Sequence, residues 1–175
     1  MKIVLLDRDG TVAAEPPDYS IDSIDKIQLW PDTLDALKYL AEHGYAVVFV
    51  TNQTAIAQGL MDEAQYWHIH EAILDRLRPS GVQVLKCYLC PHGPDDGCSC
   101  RKPKPGMLEQ AIRDYNLDPA ETYMVGDRPT DIQAGQTAGL RTILVRTSTL
   151  SDCPPEIQPD FVANSLFAAV RHLVK

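Results

Sequence analysis

Asp7 and Asp9 stand two residues apart at the end of an apolar run, Ile3, Val4, Leu5 and Leu6, and are followed by Gly10 and Thr11. A short apolar run bounded by a turn residue reads as a buried strand of a parallel sheet, and ligands in such sheets bind beyond the carboxyl ends of the strands. On an extended chain residues i and i+2 point to the same side, so both carboxylates can face one point, where their repulsion calls for a cation. Ligands that are all oxygen favour magnesium. Taken alone, an Asp-x-Asp at a strand exit is equally compatible with two idle, solvated side chains. Three later segments weigh against that.

Thr51, Asn52 and Gln53 close a second apolar run, residues 45–50, in the same manner. Arg101 and Lys102 supply adjacent cations, and Asp127 follows Gly126 after a short apolar run over 122–125. Phosphoryl transfer needs an in-line nucleophile, positive charge on the equatorial oxygens and a proton donor for the leaving oxygen, which this set of side chains contains. Each piece also has a plainer use: Thr51 and Asn52 as a turn or helix cap, Arg101 and Lys102 as a solvated pair, Asp131 as the cap of a helix expected from Ile132.

Four of the five cysteines lie between Cys87 and Cys100, which in a reducing compartment suggests metal more than disulfides. Cys90, His92, Cys98 and Cys100 give three thiolates and one imidazole, a closed tetrahedral set for structural zinc. Such a metal would order the segment carrying Pro91, Gly93, Pro94 and Gly97 and so place Arg101 and Lys102. A rival set takes Cys87, Cys90, Cys98 and Cys100, also a familiar zinc spacing. Cys87 falls inside an expected strand, where cysteine is usually a small buried hydrophobe, and this favours His92. His68 and His70 have no acidic partner at ligand spacing and receive no role; Cys153 lies apart.

These groups need a frame that gathers strand ends. Residues 32–43 place Leu34, Leu37 and Leu40 at helical spacing, with Asp32 as N-cap and Gly44 as stop. Helices are further expected over 62–78, 106–115 and 132–138, strands over 82–89, 122–125 and 142–145, and a strand followed by a helix within 161–170. Such alternation predicts right-handed βαβ units, an α/β fold with a Rossmann-like, doubly wound, mainly parallel sheet. Residues 13–30, with Pro16 and Pro17, read as a long irregular loop beside the site. With 175 residues, one domain over 1–175 is expected, carrying a zinc loop at 90–100.

A composition of 45% hydrophobic and 23% charged residues is that of a globular chain and sets aside disordered, collagen-like and coiled-coil forms. The formal net charge of -8 opposes nucleic acid but permits a small phosphorylated substrate at a local cationic site. No apolar run approaches bilayer length, and the first strand follows Met1 too closely for a signal peptide. A cytoplasmic monomer with no membrane partner is expected.

Asp7 with Arg8, Asp9, Gly10 and Thr11, then Val50 to Gln53, Arg101 to Gly106 and Gly126 to Asp131, stand in the motif order of the haloacid dehalogenase superfamily of phosphatases, which the chain resembles over most of its length. Cys90, Pro91, His92, Cys98, Ser99 and Cys100 resemble the zinc-containing subgroup of heptose bisphosphate and histidinol-phosphate phosphatases. The resemblance implies Asp7 as the nucleophile that becomes an aspartyl phosphate, and Asp9 as the group that protonates the leaving alkoxide and then activates water. It implies magnesium held by Asp7, the backbone carbonyl of Asp9, and Asp127. Thr51 and Lys102 would serve the phosphate, and Asn52, Gln53 and Arg101 the substrate. The position of Asp131 often supports the metal in the superfamily, so its role stays open between cap and support.

No insertion long enough for a cap domain separates Asp9, Thr51 and Lys102, so selectivity is expected from residues 13–30, 55–60 and the zinc loop. Ile56 to Gly59 and Lys104 to Met107 resemble the heptose bisphosphate branch; Glu15 to Pro17, Asp25, Lys26 and Gly126 to Gln133 resemble the histidinol-phosphate branch. The expected substrate is heptose 1,7-bisphosphate, with histidinol phosphate as the alternative. Two more distant readings are a phosphatase of DNA 3′ ends, which would need a basic track, and a non-catalytic zinc-stabilised binding module.

Overall fold

The computed structural model describes residues 2–147 and 150–175. Six strands form one sheet: β1 (Lys2–Leu6), β2 (Tyr45–Asn52), β3 (Val84–Cys90), β4 (Tyr123–Gly126), β5 (Arg141–Val145) and β6 (Phe161–Ala163). Their order is β3-β2-β1-β4-β5-β6 and every pairing is parallel. The helices are α1 (Thr33–Glu42), α2 (Thr54–Ala57), α3 (Glu63–Leu77), α4 (Gly106–Tyr115), α5 (Pro129–Thr137) and α6 (Leu166–Leu173).

Strand alternation sends side chains to two cores. Val4, Leu6, Val47 and Phe49 pack with Leu37 of α1, Ile69 and Ile73 of α3, and Val170 of α6. Leu5, Val48, Val50 and Met124 pack with Leu108 of α4 and Ala134 of α5 on the other face. Near-continuous apolar strands are what a sheet buried on both faces requires. The chain winds outward from β1 to β3, then returns to lay β4 beside β1 and winds the other way, so the ends of β1 and β4 flank the point where strand order reverses.

Local outcomes refine the expectations. Helix α5 starts at Pro129, three residues earlier than expected, because proline has no N–H to lose at a first helical position and Asp131 at the third closes a capping box with the Arg128 backbone. Asp131 is therefore not the cap of a helix at Ile132. Asp32 does not cap its own helix by a side-chain bond; its Oδ2 accepts the Phe167 N–H, in the first turn of α6, at 2.7 Å. Residues 13–30 fold back on the site, where the Trp30 indole N–H donates to the Gly10 carbonyl at 3.0 Å. No helix among the described residues is long and apolar enough to cross a membrane.

Candidate active site

Four chain segments meet at the carboxyl edge of the sheet. Asp7 leaves β1 with its N–H donated to the Val125 carbonyl at 2.9 Å, which fixes it beside β4. Its Oδ1 accepts from Lys102 Nζ at 2.6 Å. The same ammonium donates to the Val50 carbonyl at 2.7 Å and lies 2.6 Å from Asp131 Oδ1. Oxygens of Asp7, Asp127 and Asp131 all lie within 4.8 Å of one another, and all three residues are buried. Thr11 donates its hydroxyl to Asp127 Oδ1 at 3.1 Å. Only glycine fits between these acids: at Gly10, with φ +91°, a Cβ would stand 2.4 Å from Asp127 Oδ2, and at Gly126 it would stand 2.3 Å from Asp131 Oδ2.

Burial pushes the Asp7 carboxyl well above its ordinary pKa; Lys102 opposes the shift, and Asp131 and Asp127 reinforce it. Burial works against the Lys102 ammonium, but Asp131 and Asp7 outweigh it and hold the charge. One ammonium against three crowded carboxylates leaves an excess of negative charge on hard oxygen donors, and such a set fits a divalent magnesium ion.

The Asp9 carboxylate lines the same cavity as Asp7 but stands outside that acid cluster. Its Oδ1 accepts from Arg8 Nε at 2.7 Å, and its Oδ2 from Arg8 Nη2 at 2.9 Å and Gln53 Nε2 at 2.8 Å. Strand β1 ends at Leu6, so the same-side rule for i and i+2 lapses where it was applied. The third acid of the cluster is Asp131. Burial would raise the Asp9 pKa, but the charge and hydrogen bonds of Arg8, with that of Gln53, bring it below the ordinary value.

Thr51 is buried at the end of β2, its Oγ1 accepting from Gln53 Nε2 at 2.9 Å. Asn52 braces the two loops, donating Nδ2 to the Lys102 carbonyl at 3.0 Å and accepting the Lys102 N–H at 3.1 Å. Arg101 donates Nη1 to the His92 carbonyl at 3.0 Å. Asp7, Asp9, Thr51, Asn52, Gln53, Arg101 and Lys102 all line one cavity of about 520 Å³. Its rim holds Glu15, whose Oε2 accepts from Arg128 Nη2 at 2.6 Å.

Beside it, one ligand atom each from Cys90, His92, Cys98 and Cys100 lies within 4.8 Å of the others. Cys90 Sγ is 3.8 Å from Cys98 Sγ, 3.2 Å from Cys100 Sγ and 3.6 Å from His92 Nδ1. Tetrahedral zinc with bonds of about 2.3 Å to sulfur sets sulfur atoms about 3.8 Å apart; the Cys90–Cys98 separation matches this, the Cys90–Cys100 pair is closer, and the donor set of three thiols and one imidazole fits that ion. Cys87 packs with the core on the opposite face of the sheet, its Sγ 3.2 Å from Tyr66 Oη, and burial pushes its thiol up to about 11. It stands outside the cluster.

Sequence reasoning passed over Arg8 and the ion pair between Glu15 and Arg128. Arg8 had a signal, a cation between two acids; the pair spans 113 residues and had none.

The HAD-hydrolase-like family model matches residues 99–169. The chain is 41% identical over 180 residues, 98% of each protein, to the D-glycero-beta-D-manno-heptose-1,7-bisphosphate 7-phosphatase of Haemophilus ducreyi. It is 37% identical over 139 residues, 79% of this chain and 40% of the relative, to the histidine biosynthesis bifunctional protein HisB of Legionella pneumophila. The crystal structure of D,D-heptose 1,7-bisphosphate phosphatase from B. bronchiseptica, complexed with magnesium and phosphate, superposes with a TM-score of 0.90 at 37% identity, covering 99% of this chain and 98% of that one.

Proposed function

The chain belongs to the haloacid dehalogenase-like hydrolases, and from that membership we propose that it is a magnesium-dependent phosphomonoesterase that removes the 7-phosphate of D-glycero-D-manno-heptose 1,7-bisphosphate through an aspartyl phosphate. The observation that carries this reading is the buried contact of Lys102 with Asp7 and Asp131 at the sheet's reversal point. An ammonium fixed against a carboxylate nucleophile is placed to meet the equatorial oxygens of a phosphoryl group.

Asp7 attacks phosphorus, and splitting hydrolysis into two displacements lets one site release first an alcohol and then phosphate. Asp9, a carboxylate at rest, takes up a proton from solvent, gives it to the departing ester oxygen and later takes one from the attacking water. Thr51 and the adjoining N–H groups receive the phosphate, with Asn52 and Gln53 shaping its seat. Arg101, tied to the zinc loop through His92, faces the distal end of the substrate. Magnesium, held by Asp7, Asp127 and the Asp9 carbonyl, supplies the positive charge that lets an anionic nucleophile approach an anionic ester. Asp131 supports that site from behind, one oxygen on Lys102 and the other accepting the Arg128 N–H at 3.0 Å. Zinc on Cys90, His92, Cys98 and Cys100 orders the loop that delivers Arg101 and Lys102.

In this reading residues 1–175 form a single domain that works as a cytoplasmic monomer on a small phosphorylated metabolite, with neither nucleic acid nor membrane as partner. The acidic net charge of -8 weighs against nucleic acid. A second reading is histidinol phosphate: Glu15 and Asp18 line the cavity, and a cationic amine and imidazole could share these acids with Arg128 and Lys26, which they pair with. Specificity constants for the heptose bisphosphate anomers and histidinol phosphate decide between them. The heptose ester is expected to lead; a preference for histidinol phosphate beyond about tenfold, roughly 1.4 kcal/mol, overturns the substrate and keeps the mechanism.

A further inference from the structure

We infer that Arg8 is a positioning residue for catalysis: its guanidinium fixes the plane of the Asp9 carboxylate and leaves one of its oxygens, Oδ1, to exchange the proton. The inference rests on the phosphatase reading and on geometry that sequence motifs did not suggest.

Arg8 is fully buried, a costly place for a guanidinium unless partners compensate it. Its Nε and Nη2 form a fork over Asp9 at 2.7 Å and 2.9 Å. The Tyr66 ring backs the guanidinium at 4.7 Å to the centroid, and His70 Nδ1 lies 3.5 Å from Nη1. Both residues are on α3, so one helix forms a wall that stops the guanidinium from turning. Asp9 is the ion-pair partner of Arg8 among the described residues. An arginine serving only to fill the core would be replaceable by an apolar side chain of similar volume; one forked onto a reacting carboxylate is not.

The acceptor count singles out the oxygen. A carboxylate oxygen has two lone-pair sites. Asp9 Oδ2 accepts from both Arg8 and Gln53, whereas Oδ1 accepts from Arg8 Nε. A lone pair therefore stays open on Oδ1. In the first half-reaction Asp7 bonds to phosphorus, the bond from phosphorus to the ester oxygen breaks with its electrons on that oxygen, and a proton that Asp9 Oδ1 has taken up from solvent passes to it. The products are the alcohol, the aspartyl phosphate and an Asp9 carboxylate, whose new charge faces the Arg8 fork. Arg8 thus acts on the step that needs an acid, through Asp9, without touching substrate.

The test exploits leaving groups. Nitrophenolate departs without a proton, whereas a sugar alkoxide needs one. In Arg8→Met, kcat/KM for heptose 1,7-bisphosphate is expected to fall at least about tenfold further than kcat/KM for p-nitrophenyl phosphate, with competitive inhibition by inorganic phosphate kept within about twofold. Arg8→Lys, which keeps the charge without the fork, should recover part of the loss. Equal falls on both esters, or weakened phosphate inhibition in step with them, would assign Arg8 a merely structural part and overturn the inference. Should Arg8→Met fail to fold by circular dichroism, Arg8→Lys carries the test alone: a selective loss on the alkyl ester supports the inference and wild-type constants on both esters overturn it. Wild-type protein that hydrolyses neither ester fails at the phosphatase reading itself.

Discussion

Two acids two residues apart do different work because one side chain between them points into the core. Asp7 sits with Lys102 and the other buried acids, and Asp9 sits in the Arg8 fork. Asp7→Asn should abolish turnover and leave no acid-stable label from a phosphorylated substrate, since a carboxamide cannot form the aspartyl phosphate; a variant with undiminished turnover would remove Asp7 from the chemistry. Asp9→Asn should retain phosphate inhibition while kcat falls by about a hundredfold or more, the usual worth of a general acid and base. Asp7, Asp9 and Lys102 were legible as residues of interest because an acid pair, a polar strand end, a cation pair and a further acid follow one another in a single chain, a combination that idle side chains do not explain. The destination of the Asp9 side chain was not, since it depends on a strand stopping at Leu6 and on Tyr66 and His70, more than 50 residues further on, closing behind Arg8.

Elements were more legible than side chains. The apolar spacing placed α1, α3 and α4 to within a residue or two, because each carries a buried stripe and a clear stop. It missed the first turn of α5, where the helix is built from Pro129, Thr130 and Asp131 and has no apolar period to read. The zinc loop, with little apolar content of its own, should owe its order to metal. About one zinc per chain is expected by metal analysis, and Cys98→Ser or His92→Ala should lose it together with local order; a full complement in either variant refutes the ligand set. Helix α3 makes a different prediction. Burial, then the Arg8 charge, push the His70 pKa down to about 4, against about 6.5 when unfolded. Between those values the unfolded chain takes up a proton that the folded chain refuses, so stability should fall as pH drops from 6.5 towards 4, by up to about 3 kcal/mol. Urea midpoints across that range should be flatter in His70→Gln than in the wild type, and an unchanged slope would contradict it.

Across the whole molecule, winding a parallel sheet in two directions from β1 brings residues 7–11, 51–53, 101–102 and 127–131 to one edge. The architecture could be read from alternating strands and helices; which strand ends become neighbours could not, because that is settled by the order β3-β2-β1-β4. Removal of divalent metal by mild EDTA should therefore silence the enzyme without unfolding it, since the sheet and both cores stand on apolar packing, and magnesium should restore turnover; a cooperative collapse of the circular dichroism signal on chelation would contradict this. Lys102 is where these segments are joined. Its ammonium has three N–H bonds and three acceptors, Asp7 from β1, the Val50 carbonyl from β2 and Asp131 from α5. An arriving phosphate oxygen can take a bond from it only by displacing one of the three. If Asp7 is the one displaced, entry of the substrate unties the nucleophile, and departure of inorganic phosphate ties it again. The same exchange that readies the attack then helps expel the product, and keeps the idle site from retaining the anion it has just made.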